Sequence, residues 1–219
     1  HGLLVAAFNP PLDRRVLLTK LDEQIIINNE TYPLGSNESN RGIQPQGYRY
    51  LSSFSLNPFP TYTYELDRKF RLEKTVFMPY GKNVTVVVYE ASNTSRDSVL
   101  VSVSPLVNSR HFHSVTHRDT VPQGFAQKLF DKGVIVQSPP SIPSSTLTLL
   151  STDGYYEAGR GEWIETFFRV DASRGESSLD NSYKPGVFEF VFAPNENRRF
   201  SIVAAGGKNE AETLSILST

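Results

Sequence analysis

The chain of 219 residues carries 22 basic and 23 acidic side chains, and its formal net charge of −1 gives no bulk attraction to nucleic acid or to an anionic membrane. It contains no cysteine, which excludes disulfides, zinc–thiolate sites and cysteine nucleophiles and fits a reducing, cytoplasmic compartment. Hydrophobic residues make up 38% of the chain, enough for the core of a β-sandwich, and no apolar run approaches the roughly 18 residues of a transmembrane helix.

The chain opens with HGLLVAAF, which contains neither an initiating methionine nor a basic segment. Such a start does not match a signal peptide, which needs a basic region before its apolar one. We therefore expect the sequence to come from the interior of a longer protein that continues upstream of His1.

Strand patterns dominate the first half of the chain. Apolar or alternating runs predict strands at residues 3–8, 15–20, 23–28, 48–56, 61–66, 70–78, 83–91 and 99–106. The pair Asn28-Asn29 predicts a hairpin turn after the third of these strands. In the strand at 61–66, alternate residues such as Tyr62 and Tyr64 share one face.

Polar segments separate the strands and predict loops. The predicted loops are residues 36–46, residues 108–132 with one short strand, and residues 171–185. Further strands are predicted at 133–137, 146–151, 154–157, 163–170, 188–192 and 199–205, and a terminal helix at 209–217.

The number and spacing of these elements indicate the fold class. About a dozen strands at a spacing of roughly 8–12 residues, with little helix, predict an all-β sandwich or barrel. No internal repeat and no linker divides the sequence, so residues 1–219 are expected to form a single domain.

Three of the four histidines lie within seven residues, at His111, His113 and His117. On a strand, His111 and His113 would face the same side, and a third histidine could complete a metal triad. Asp119 is the only nearby carboxylate that could orient them. The alternative is that these side chains make polar contacts to a neighbouring domain or to a sugar. We prefer that alternative and predict no metal or other cofactor.

An aromatic group forms the second candidate site. Aromatic rings flanked by charged side chains are a common way to bind sugars, because the rings stack on sugar CH groups. The group also suits a hydrophobic core, and both interpretations stay open. Its members are Tyr155, Tyr156, Trp163, Phe167 and Phe168, near Arg160, Glu162, Glu165 and Arg169. Trp163, with Glu162 and Glu165 on either side, is the best candidate for a partly exposed ring.

The sequence supplies no catalytic constellation. Glycoside hydrolysis uses two carboxylates, but no pattern separates an acid/base pair from the other acidic residues. A nucleophile elbow, a Walker loop and a dinucleotide fingerprint are also missing. No catalytic residue is therefore assigned.

Several segments occur in a fixed order along nearly the whole chain. They are HGLLVAA, NPP, VLLTKLDE, QPQGYRYLSSFSLNPFPTYTYE, LEKTVFMPYGKNVTVVVYE, SPLVNSRHFHSVTH and SYKPGVFEFVF. This series resembles the N-terminal domain of bacterial and archaeal glycogen debranching enzymes, in which a TRRYHGLL-like motif opens the segment. The beginning of that motif would lie upstream of His1.

The resemblance implies a fold and a role. It implies a supersandwich of two large, mainly antiparallel sheets, of the galactose-mutarotase-like kind, ahead of an (α/α)6 toroid with amylo-α-1,6-glucosidase activity. The catalytic carboxylates would belong to the toroid. The chain would then be a non-catalytic domain that docks on the toroid and contacts α-glucan, such as glycogen or a limit dextrin. Two alternatives stay open: a purely structural module without sugar affinity, which could also support a homodimer, and a histidine-based metal protein.

The resemblance also guides the choice of site residues. Arg110, His113 and Ser114 match an Arg-x-x-His-Ser pattern of the family, whereas His111 and His117 do not belong to it. The residues predicted to contact carbohydrate or a neighbouring domain are Arg110, His113, Trp163, Tyr155 and Glu165.

Overall fold

The computed structural model describes residues 2–39, 42–67 and 69–218, so His1 of the HGLLVAA segment lies outside the described residues. Strands account for 61% of the residues and helices for 9%, which confirms the all-β prediction. The strands are β1 (Leu4–Asn9), β2 (Asp13–Ile27), β3 (Glu30–Pro33), β4 (Ser36–Ser39), β5 (Gly42–Gln46), β6 (Leu51–Ser55), β7 (Thr61–Leu66), β8 (Phe70–Phe77), β9 (Val84–Asn93), β10 (Val99–His111), β11 (Ala126–Phe130), β12 (Gly133–Gln137), β13 (Thr146–Ser151), β14 (Tyr155–Phe167), β15 (Leu179–Phe192) and β16 (Asn197–Gly207).

Helical structure is confined to short segments. The α-helices are α1 (Arg169–Ser173) and α2 (Glu210–Leu217), and single 3-10 turns occur at Gly47–Tyr50 and Arg118–Thr120. Neither described α-helix has the length and apolar character needed to cross a membrane.

Two large antiparallel sheets form the domain, as predicted. The six-stranded sheet has the order β1-β2-β10-β15-β14, and β3 pairs with β2 off this path. The eight-stranded sheet has the order β11-β12-β13-β16-β9-β8-β7-β6. Strands β4 and β5 form a small hairpin sheet of their own.

Aromatic side chains from both sheets meet in the core between them. Phe188, Phe190 and Phe192 alternate along β15 and are at most 1% exposed, so they form the inward face of that strand. The Phe190 ring stacks on Phe200 of β16 with a centroid distance of 3.8 Å. Phe200 in turn stacks on Tyr89 of β9 at 4.9 Å. These ring contacts hold the two sheets face to face.

Two local sequence signals are confirmed. Asn28 and Asn29 have φ values of 51° and 66° in the turn between β2 and β3, a left-handed conformation that asparagine tolerates better than most residues. The terminal helix α2 begins after Asn209, whose side-chain oxygen accepts a hydrogen bond from the Glu212 amide at 3.0 Å.

Several predicted boundaries are wrong. Residues 36–46 are not a plain loop, because they contain the hairpin of β4 and β5. The strands predicted at 15–20 and 23–28 form one long strand, β2, which ends at Ile27. Likewise, β14 joins most of the strands predicted at 154–157 and 163–170 through a register irregularity between Ala158 and Glu162, but it ends at Phe167 and α1 begins at Arg169.

The predicted loops at 108–132 and 171–185 are shorter than expected, since β10 extends to His111 and β15 starts at Leu179. The physical reason is that Asp180, Asn181 and Ser182 are polar yet at most 7% exposed. Their polar groups bond within the protein, so the polarity of this segment does not indicate contact with solvent.

Phe200→Ala tests the aromatic core. We expect it to lower the free energy of unfolding by about 3–5 kcal/mol, because it removes a ring packed between the sheets and leaves a cavity. Urea denaturation followed by circular dichroism measures this change. The control is Val191→Ala on the outward face of β15, where the side chain is 56% exposed, and it should shift stability by less than about 0.5 kcal/mol. Equal effects of the two substitutions would contradict this core arrangement.

Candidate functional site

Arg110, at the end of β10, forms a buried ion pair with Asp180 at the start of β15. Their side chains are 5% and 1% exposed. Arg110 Nε donates to Asp180 Oδ2 at 2.9 Å, and Arg110 Nη1 donates to the carbonyl oxygen of Ser114 at 2.7 Å. Nη2 also lies 2.9 Å from Oδ2 but outside hydrogen-bonding geometry, so its attraction is purely electrostatic. The guanidinium therefore fastens the segment after β10 to β15.

A second set of hydrogen bonds fixes the same segment. Asn108 Nδ2 donates to the carbonyl oxygen of Asn181 at 2.9 Å, and Thr116 Oγ1 donates to Asn108 Oδ1 at 2.8 Å. The Arg118 amide donates to Asn181 Oδ1 at 3.0 Å. Because both ends of the segment are bonded to β15, residues 112–117 have a defined position despite their polar sequence.

Burial has the largest effect on the pKa of Asp180 in this ion pair. It raises the pKa of the Asp180 carboxyl above its usual value, although the charge of Arg110 and a 2.8 Å hydrogen bond from the Thr116 amide both lower it. The carboxylate thus depends on Arg110 to stay ionised inside the protein.

Two of the three clustered histidines lie together, since the rings of His111 and His113 have centroids 5.6 Å apart and the His113 amide donates to His111 Nδ1 at 3.3 Å. His113 and His117 are exposed and His111 is half-buried. Phe112 packs against His113 with a ring-centroid distance of 3.8 Å and against His111 at 4.8 Å, and the Arg14 guanidinium lies 4.1 Å from its ring centroid. Within residues 2–39, 42–67 and 69–218, no group of three or more His, Asp or Glu side chains could hold a metal ion. The alternative of a histidine metal triad has no support there.

His113 and Arg110 line one cleft, here called the loop cleft, between the segment after β10 and the segment around α1. Its volume is about 740 Å³, and its lining also includes Phe168, Arg174 and Glu176. Two of the five predicted site residues therefore lie together, with His113 exposed and Arg110 buried.

Trp163 is half-buried in an aromatic cluster. Its ring makes an edge contact with Tyr183 at 5.2 Å and lies 6.3 Å from Phe125, and it packs against the main core. Part of its ring surface is therefore occupied by the protein itself.

Tyr155 and Glu165 are both exposed but lie at opposite ends of β14. Their partners on β15, Glu189 and Asn181, are eight residues apart, which corresponds to about 26 Å at 3.3 Å per residue. The Tyr155 hydroxyl donates to Glu189 Oε2 at 2.5 Å, whereas Glu165 pairs in register with Asn181. The structure does not bring the five predicted residues into a single site, and a contact of each with glucan or another domain stays a prediction.

A second cleft lies at the β6–β7 end of the eight-stranded sheet and is here called the tyrosine cleft. Its volume is about 550 Å³. Three tyrosines line it, Tyr48 from the 3-10 turn and Tyr62 and Tyr64 from β7, together with Leu51 and Pro60. Tyr62 and Tyr64 are half-buried, and Tyr48 is 49% exposed.

A buried ion pair between the two sheets forms the floor of the tyrosine cleft. Lys74 Nζ of β8 lies 2.6 Å from Glu23 Oε1 of β2, with side chains 10% and 3% exposed. The same Glu23 oxygen accepts a hydrogen bond from the Tyr89 hydroxyl at 2.6 Å, and Lys74 Nζ donates to the Leu21 carbonyl oxygen at 3.2 Å. Burial raises the pKa of Tyr64, with a smaller contribution from the negative charge of Glu23, so its phenol keeps its proton at neutral pH.

The sequence analysis missed this cleft, although a signal for it exists. Glu23 occupies an inward position of β2 between Leu21 and Ile25, and Lys74 occupies an inward position of β8 after Leu72. A charge at a core position of a strand needs a partner, and two opposite charges at such positions can satisfy each other across the sheets.

One protein family has a sequence model that matches most of this chain. The sequence model of the family described as "Glycogen debranching enzyme N terminal" matches residues 1–199. A search of curated proteins gave no match.

Three solved structures are similar to the chain at low identity. A bacterial glucoamylase complexed with acarbose is 8% identical, with a TM-score of 0.48, over 100% of this chain and 30% of its own length. A putative kojibiose phosphorylase from the human microbiome is 8% identical, with a TM-score of 0.47, over 98% of this chain and 27% of its own. A polysaccharide lyase is 12% identical, with a TM-score of 0.46, over 92% of this chain and 27% of its own. The chain thus spans less than a third of each.

Arg110→Met tests the ion pair through pH. At about pH 7 we expect a loss of about 3 kcal/mol in unfolding free energy, because Asp180 is left buried without its cation. Without Arg110 the pKa of Asp180 rises further in the folded state, so folding takes up a proton and the loss shrinks as pH falls towards about 5. Denaturation curves across this range measure the effect. The control, Arg118→Met, removes an exposed arginine of the same segment and should lose little at any pH. A pH-independent loss for Arg110→Met would contradict the assignment.

Trp163→Ala tests whether this ring is structural. Because the ring packs on Tyr183 and the core, we expect a loss of about 2–4 kcal/mol in unfolding free energy. Tyr155→Ala, at the other end of β14 with its ring exposed, should cost less than about 1 kcal/mol. Thermal or urea denaturation of both variants decides the point. An unchanged stability of the Trp163 variant would mean that its ring is free to contact a ligand.

Proposed function

Since the chain belongs to the glycogen debranching enzyme N-terminal family, we propose that it acts as the non-catalytic N-terminal domain of such an enzyme, docking on its catalytic part and contacting α-glucan. The parent activity is hydrolysis of α-1,6-glucosidic branches, by an amylo-α-1,6-glucosidase domain of the (α/α)6 kind in the same polypeptide. We place this activity in the cytoplasm, in keeping with the absence of cysteine.

The observation that carries the docking proposal is a concentration of exposed apolar side chains. Of the fifteen large hydrophobic residues exposed in the described part of the chain, eight lie between Ile43 and Tyr80. Some of them line the inward tyrosine cleft and others lie on the outer side of the sheet, and exposed apolar side chains grouped in this way mark interaction sites.

One part of this surface, here called the outer patch, is formed by Leu56, Phe59, Phe77, Met78 and Tyr80. Leu56, Phe59 and Met78 are 67%, 44% and 48% exposed. Phe59 stacks on Phe77 with a centroid distance of 5.1 Å, and Phe77 lies on the side of β8 opposite to the inward residues Leu72 and Lys74. The outer patch therefore faces away from the core and suits the catalytic part of the enzyme as its partner.

A purely structural module without sugar affinity is the second candidate. It is favoured by Arg110 and Trp163, two residues predicted to contact glucan or another domain, because both are engaged in contacts within the domain. Of the predicted residues, His113 on the rim of the loop cleft and Glu165 on β14 are exposed and suit an external contact. Titration of the chain with maltooligosaccharides separates the two candidates.

The double substitution Phe59→Glu with Met78→Glu tests docking. We expect the affinity of this chain for the separately produced remainder of the enzyme to fall at least tenfold, or about 1.4 kcal/mol, because two charges would have to be buried at the interface. Isothermal titration calorimetry measures it. Val191→Glu, at an exposed position on the outward face of the other sheet, is the control and should bind normally.

Two results would contradict the proposal. One is equal binding by the double variant and the control, with the chain instead forming a homodimer through the outer patch. The other is hydrolysis of the 1,6-linked branches of a limit dextrin by this chain alone, which would make it catalytic.

A further inference from the structure

We propose that the tyrosine cleft is a binding subsite for a stretch of α-glucan, an inference that rests on the proposed function and assigns it to a place. The cleft is distinct from the five residues predicted from the sequence. It is formed where the inward face of the eight-stranded sheet continues past the cover of the other sheet.

Two rows of residues across the strands show how the core opens into this cleft. In the first row, Tyr89, Lys74, Tyr62 and Phe54 are paired neighbours on β9, β8, β7 and β6. Tyr89 is fully buried, Lys74 is 8% exposed, Tyr62 is half-buried and Phe54 is 48% exposed. Burial therefore falls steadily from the core towards the edge strand.

The second row repeats the same gradient one step along the strands. Ala91, Leu72, Tyr64 and Leu51 are paired neighbours across the same four strands. Leu72 is fully buried, Tyr64 is half-buried and Leu51 is 37% exposed. Together the two rows place the rings of Tyr62 and Tyr64 next to each other on the inward face of the sheet, beside the buried side chains of Lys74 and Glu23.

The chemistry of the cleft suits a saccharide better than an apolar segment of protein. The hydroxyls of Tyr48, Tyr62 and Tyr64 make no hydrogen bond to a described residue and can each donate and accept. The ammonium group of Lys74 has three protons and two acceptors among the described residues, Glu23 and Leu21. An apolar helix would leave these groups unsatisfied, whereas a sugar offers hydroxyls to them and CH groups to the rings.

The size of the cleft agrees with such a ligand. Its volume of about 550 Å³ falls within the roughly 300–1,000 Å³ typical of small-molecule sites. The three tyrosines come from two separate elements, the 3-10 turn and β7. The hydrogen bond from the Gly47 amide to the Gly35 carbonyl oxygen at 2.9 Å fixes that turn. The site is thus largely formed before a ligand arrives.

The test is calorimetric titration of the 219-residue chain with maltoheptaose, using cellohexaose as the specificity control. We expect saturable binding of maltoheptaose that Tyr62→Ala weakens roughly tenfold, because a stacking ring is lost. Tyr64→Phe keeps the ring and removes one uncommitted hydroxyl, so it should weaken binding a few-fold without lowering thermal stability. Val191→Ala, which removes an exposed side chain from the outward face of the other sheet, is the control and should bind like the parent chain.

Docking on the remainder of the enzyme, measured on the same variants, separates failure of this inference from failure of the proposed function. Normal docking with no binding of maltoheptaose, or with equal binding by Tyr62→Ala and the parent chain, overturns the subsite and leaves the docking proposal standing. Weakened docking by Tyr62→Ala together with no glucan binding assigns the cleft to protein and overturns the subsite as well. Normal docking by Tyr62→Ala with weakened maltoheptaose binding supports it.

Discussion

The ion pair between Glu23 and Lys74 is the interaction on which the arrangement of the two sheets depends at the open end of the domain. Both charges are almost completely buried, and each would be costly there without the other. The pair joins β2 of one sheet to β8 of the other and also engages the Tyr89 hydroxyl. On one side of it the aromatic core is closed, and on the other side the inward face of β7 and β6 opens to solvent. The pair therefore lies at the boundary between the closed core and the surface of β7 and β6 that a ligand could contact.

The opposite end of the six-stranded sheet uses the same physical device for a different purpose. Arg110 and Asp180 are also buried and paired, and backbone groups of Ser114 and Thr116 bond to them. This pair holds a polar connecting segment in place, although Arg110 Nη2 makes no hydrogen bond to a described residue. The two pairs differ in their surroundings, because three tyrosine side chains line the cleft beside Lys74 and Glu23.

The fold could be predicted from the sequence where side-chain alternation coincides with burial, as in β7, whose bounds match the strand predicted at residues 61–66. Prediction failed at the start of β15, because the buried Asp180, Asn181 and Ser182 have the composition of a loop. Trp163 was predicted as a partly exposed ring and is half-buried, but its contacts with Tyr183 and Phe125 come from segments distant in the sequence, which local alternation does not predict. The tyrosine cleft depends on residues from β2, β7, β8 and a 3-10 turn, and only the three-dimensional arrangement brings them together.

The chain belongs to the glycogen debranching enzyme N-terminal family, and we propose that its outer patch docks on the catalytic part of the enzyme and that its tyrosine cleft binds glucan. The decisive measurement is a crystal structure of the full-length protein that contains this chain, with maltoheptaose bound. We expect the outer patch to be covered by the catalytic part and sugar rings to lie against Tyr62 and Tyr64. A structure in which the outer patch is exposed to solvent and the tyrosine cleft is filled by polypeptide would contradict this proposal.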